Sequence, residues 1–106
     1  MTYKLLHKPT GYFYRPHLHG GSNLSPHGKV YQTATHGLSQ ALRHYKKSGE
    51  FSFCVYVDQD SRVYQKTKDI LKYEECQWSY KQMKAPTDIM DWQILNVITG
   101  NLHDLL

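Results

Sequence analysis

The sequence predicts an α+β domain: a small antiparallel β-sheet of four to six strands packed with one or two helices. Three observations predict it. Segments of alternating apolar and polar residues recur, most clearly Phe51, Phe53, Val55 and Val57 against Ser52, Cys54, Tyr56 and Asp58, the period-two signature of a half-buried strand. Leu38, Ala41, Leu42 and Tyr45 step at i, i+3, i+4 and i+7, as one face of an amphipathic helix does. A chain of 106 residues, 40% of them hydrophobic, suffices for one core burying about two-thirds of the unfolded surface, so residues 1–106 read as a single domain.

In chain order, Tyr3–His7 reads as a first strand. Lys8-Pro9-Thr10-Gly11 is a turn, with proline fixing φ at one corner and glycine free to take positive φ at the other. Gly11–Arg15 returns as a second strand closed by Pro16, and alternation puts Tyr12 and Tyr14 on one face, Phe13 and Arg15 on the other. A loop near 17–28, rich in Gly, Ser, Asn, Pro and His, reads as flexible and too polar to pack. Lys29–Thr33 is a third short strand, and residues 37–47 form the helix, stopped by Ser48-Gly49. After the strand over 51–57, Asp58–Ser61 is a turn and Arg62–Lys66 its return strand. A second helix is expected over 68–77, with Asp69 at its start and Ile70, Tyr73 and Gln77 on one stripe, and Met83–Asp88, containing Pro86, is a connector. Trp92–Ile98 fits both periods. The β-branched Ile94, Val97, Ile98 and Thr99 ahead of Gly100 decide for a strand.

The longest nearly apolar run, Phe51 to Val57, is far short of a membrane span, and no secretory apolar region opens the chain. A soluble, cytoplasmic protein is expected, with Cys54 and Cys76 reduced and serving as small packing residues. Charge is unevenly distributed. Residues 1–49 hold seven Lys or Arg and no Asp or Glu, whereas residues 50–106 hold the other six bases and all nine acids, so the halves carry +7 and −3. A segment of that length without a carboxylate presents a positive potential that attracts phosphates, unless acids of the second half neutralise it in the fold.

Aromatics interleaved with cations, Tyr12-Phe13-Tyr14-Arg15 and Lys29-Val30-Tyr31, are what single-stranded nucleic acid binding uses: rings stack on bases and cations hold phosphate. Tyrosines at strand positions equally serve as a buried sheet face. Gly20-Gly21-Ser22-Asn23 adds backbone N–H groups able to approach a phosphate closely. The expected anion-binding set is Lys8, Tyr12, Tyr14, Arg15, His17, His19, Gly20, Gly21, Lys29, Tyr31, Arg43, Lys46 and Lys47, with RNA or another polyanion as partner and a host protein as a further target. A small anionic nucleotide held in the His/Gly loop is the alternative, and metal-independent RNA cleavage is the second, since it needs only a base, an acid and cations, types that His17, His19, His27, Lys29, Arg15 and Tyr14 contain. No metal, cofactor or covalent nucleophile is expected: His17-x-His19 and His27 lack the further ligands zinc needs, and no nucleophile motif is present.

Lys-Pro-Thr-Gly-Tyr-Phe-Tyr-x-Pro, then Gly-Gly-Ser-Asn-Leu-Ser-x-x-Gly-Lys-Val-Tyr and a late Asp-Trp-Gln-Ile-Leu resemble small uncharacterised accessory proteins of tailed bacteriophages over about a third of the chain. The resemblance carries no active site. It implies a context, the host bacterial cytoplasm, in which such products modify host machinery or blunt host defence.

Overall fold

The computed structural model describes residues 2–16, 22–32, 52–77 and 79–104. They form eight strands in two antiparallel sheets and one short helix, so the α+β class stands as read. The strands are β1 (Tyr3–His7), β2 (Tyr12–Tyr14), β3 (Leu24–Ser25), β4 (Ser52–Asp58), β5 (Glu74–Cys76), β6 (Ser79–Asp88), β7 (Trp92–Asn96) and β8 (Leu102–Asp104), with helix α1 at Arg62–Thr67. The large sheet has the order β3-β2-β1-β7-β8 and the small one β4-β6-β5. The expected helix over 37–47, with its basic face, lies outside the described residues.

The large sheet grows from two hairpins. Gly11, at φ 73°, closes the first by donating its N–H to the His7 carbonyl at 2.8 Å, a left-handed conformation that glycine alone adopts without strain. The turn after β7 is set by Asn96, whose Oδ1 accepts from the N–H groups of Ile98 at 3.0 Å and Thr99 at 3.3 Å. β1 then pairs with β7 along its whole length, from Tyr3 opposite Asn96 to His7 opposite Trp92. Of the expected strand at 29–33, whose last residue lies outside the described residues, residues 29–32 form a single bridge, in which Tyr3 and Tyr31 exchange N–H to carbonyl bonds at 2.7 Å.

In the small sheet, β4 pairs with β6 from Ser52 opposite Asp88 to Asp58 opposite Gln82. The segment 83–88 is therefore strand and not a connector. Pro86 lies opposite Cys54, and β5 runs alongside β6 only as far as Lys84, so among the described residues no strand pairs with the other side of β6 at Pro86, and a residue without an N–H breaks no described ladder there.

Two further expectations are corrected. Arg62–Thr67 is helix, not a return strand, because Ser61 caps it: its Oγ accepts from Tyr64 N–H at 3.2 Å and donates to the Asp58 carbonyl at 2.7 Å. No helix covers 68–77. The chain turns back after Lys68, Tyr73 sets its hydroxyl 2.6 Å from Thr67 Oγ1 and its ring 5.2 Å from that of Tyr64, and β5 follows.

The core lies where the two sheets meet. Leu5, Leu24, Tyr31 and Trp92 from the large-sheet side pack with Val55 and Ala85 of the small sheet. Trp92 also donates from Nε1 to Thr87 Oγ1 at 2.9 Å, joining β7 to β6. Val55 and Val57 point inward as their alternation predicts, but Cys54 faces solvent, so only Cys76 of the two cysteines packs.

Candidate nucleic-acid interface

Strand alternation divides the large sheet into an inner and an outer face. Leu5 and His7 are fully buried on β1 and Trp92 is buried opposite His7 on β7, so Tyr12, opposite His7, and Tyr14 also turn inward. The alternate positions, Phe13, Leu6, Gln93 and Leu95, turn outward with Lys4, Ser25, Leu102 and Asp104. On that outer face the Lys4 ammonium stands 5.1 Å from the centre of the Phe13 ring.

Several expected site residues are placed by this division. Lys8 is exposed in the β1–β2 turn. Tyr12 and Tyr14 are half-buried against the core, Tyr14 meeting Trp92 edge-on at 6.2 Å, and burial raises the Tyr14 phenol above its ordinary pKa. Tyr31 is a correction: only 7% exposed, with its hydroxyl pushed up to about 12 first by burial and then by the neighbouring Tyr14, it is a core residue and its ring is not available to a base. Arg15 is exposed, and its Nε donates to the Ser22 carbonyl at 2.9 Å. Lys29 is exposed, with its ammonium 5.3 Å from the Tyr31 ring centre. Among the described residues Lys4, Lys8, Arg15 and Lys29 form no ion pair with a carboxylate. His17, His19, Gly20, Gly21, Arg43, Lys46 and Lys47 lie outside the described residues.

The far limb of the polar loop is packed, contrary to the expectation. Ser22 and Asn23 are buried. Asn23 donates its N–H to the Tyr56 carbonyl at 2.7 Å, accepts from Tyr56 N–H on Oδ1 at 2.8 Å and donates from Nδ2 to the Arg15 carbonyl at 3.1 Å. Ser22 Oγ accepts from Asp58 N–H at 3.2 Å. A side-chain amide carries one donor edge and one acceptor, the same groups a strand offers, so Asn23 satisfies the outer edge of β4 as a short strand would. Beyond it, Gly28 takes φ 67° and crosses Phe13 so closely that a Cβ there would sit 2.3 Å from Phe13 Cβ.

Phe13, part of the aromatic run but outside the expected anion-binding set, and Lys4 are therefore the ring and cation that the fold brings together on the outer face. The signal is present, since alternation separates Phe13 from Tyr12 and Tyr14, but which face turns inward is decided by Trp92, seventy-nine residues away on β7. Among the described residues no group of three or more His, Cys, Asp or Glu is placed to hold a metal ion, and no helix is long and apolar enough to cross a membrane. No protein-family model matches the chain, and no curated protein and no solved structure matches it.

Proposed function

We propose that this protein binds single-stranded RNA across the outer face of its large sheet, as a small phage accessory product that works in the host cytoplasm by interfering with a host or host-defence factor. The observation that supports the binding reading is the Lys4–Phe13 pair on a partly exposed sheet face, with Arg15 and Lys29 exposed and not ion-paired among the described residues. The resemblance to phage accessory proteins supports the context. Lys4 caps the Phe13 ring in the free protein, a contact worth about 0.5–1 kcal/mol at an exposed site. A base stacked on the same ring gains about 1–3 kcal/mol, so the base displaces the ammonium, which swings to a phosphate.

The test is titration of a fluorescent single-stranded RNA at several salt concentrations. Phe13→Ala is expected to cost about 1–3 kcal/mol of binding. Lys4→Gln, which leaves the ring in place, is expected to lessen the slope of log K against log salt by about 0.7. Tyr31→Phe should bind as the wild type does. No binding at low salt, or binding indifferent to both Phe13 and Lys4, overturns the reading.

A further inference from the structure

His7 has no part in the outer face, yet its setting is unusual for an ionisable group. The side chain is fully buried. Nδ1 lies 2.8 Å from Thr10 Oγ1, which also accepts from Tyr12 N–H at 3.3 Å, and the imidazole packs 4.7 Å from the Trp92 ring at an angle of 55°. Nε2 is buried and has no hydrogen-bond partner among the described residues. Whichever nitrogen carries the single proton of the neutral ring, the doubly protonated ring would carry an N–H at Nε2 with nothing to accept it, inside an apolar core.

We propose that His7 is a proton trigger for the end of the large sheet: charging its ring unseats the β1–β2–β7 junction and withdraws the outer face that carries Phe13. The groups around it favour this. Across the ladders His7 faces Tyr12 on β2 and Trp92 on β7, neither of which can take up a positive charge as a salt bridge does. Asp91, in the 3-10 turn before β7, is the nearby carboxylate and favours the charged ring, but burial outweighs it, holding the histidine down at about 4 from the usual 6.5. Lys8, next in sequence, is exposed. Leu6 pairs with Phe13 in the register step adjoining His7–Tyr12, so opening at His7 moves the ring proposed to meet the base.

The sign follows from linkage. The depressed folded-state value means that the opened state binds the proton first, so stability of this junction is complete above about 6.5 and is lost as pH falls toward about 4. Each unit of acid within that window multiplies the opened population by about ten. Binding of a polyanion by surface cations behaves in the opposite way, because solvent-exposed histidines in general gain charge in acid.

The experiment is amide hydrogen exchange of the intact chain between pH 7 and pH 5, corrected for intrinsic rates, alongside RNA affinity at each pH. Protection of the Leu6, His7, Phe13 and Trp92 amides is expected to fall about tenfold or more while that of β4 and β6 holds, and the His7→Phe variant should lose the difference. Should that variant fail to fold, NMR titration of the wild-type His7 ring decides: a ring staying neutral below pH 5 as protection falls supports the trigger. A ring titrating near 6.5 with protection unchanged, both sheets losing protection in parallel, or a folded variant keeping the pH effect overturns it. The consequence for RNA rests on the proposed function, but the exchange readout does not. Absence of RNA binding at pH 7 would refute that function and leave the trigger to be decided by protection alone.

Discussion

Asn23 has few side-chain atoms and makes three of the contacts that hold the polar loop to both sheets. Replacing it with alanine removes the Oδ1 acceptor of Tyr56 N–H and the Nδ2 donor to the Arg15 carbonyl. Both bonds are partly buried and each is worth about 0.5–1.5 kcal/mol net, so Asn23→Ala is expected to destabilise the fold by about 1–3 kcal/mol. Urea denaturation checks this, as a lower midpoint with an unchanged slope. A change within a few tenths of a kcal/mol would mean that water replaces the amide at both positions. Sequence could not reveal this role. Gly-Gly-Ser-Asn reads as a solvated loop because its polarity is local information, while its partner Tyr56 lies thirty-three residues on.

At the scale of elements, α1 is short, and its start depends on Ser61. Ser61→Ala removes the acceptor for Tyr64 N–H and is expected to cost about 1 kcal/mol, read as a lowered melting temperature. Ser61→Asp, which restores an acceptor, should recover most of it. The same element shows why parts of the chain were misread. Arg-Val-Tyr-Gln-Lys is rich in strand formers, and a single cap outweighs that preference because Thr67 and Val63 then face the same side, where Thr67 hydrogen-bonds the Val63 carbonyl at 2.7 Å. Where alternation and turn chemistry agree, as over Tyr3–Tyr14 and Trp92–Asn96, the elements were legible. Where proline was taken as a breaker, as at Pro86, they were not, because only the shortness of β5 makes that proline harmless.

On the scale of the whole molecule, the uneven charge of the sequence becomes spatial. β1, β2 and β3 all come from the half without carboxylates, and on the outer face of the large sheet the described acid is Asp104, on β8 at the opposite edge. The positive side of that face was thus readable as a charge bias before any fold was known, though its aromatic centre was not. The small sheet, by contrast, is built entirely from residues 52–88. Among the described residues its strand β4 has a strand neighbour, β6, on one side alone, and along the other side Asn23 and Ser22 occupy the backbone groups of Tyr56 and the N–H of Asp58. Ser-Phe-Cys-Val-Tyr-Val-Asp is a β-prone sequence without proline, the kind of segment that recruits identical copies when its edge is bare. The loop amide is in this sense a guard on solubility as well as on stability. Asn23→Ala kept under native conditions should form thioflavin-positive aggregates sooner than a variant destabilised equally at Ser61 or elsewhere in α1, and equal lag times for the two would show that lost stability alone drives the process.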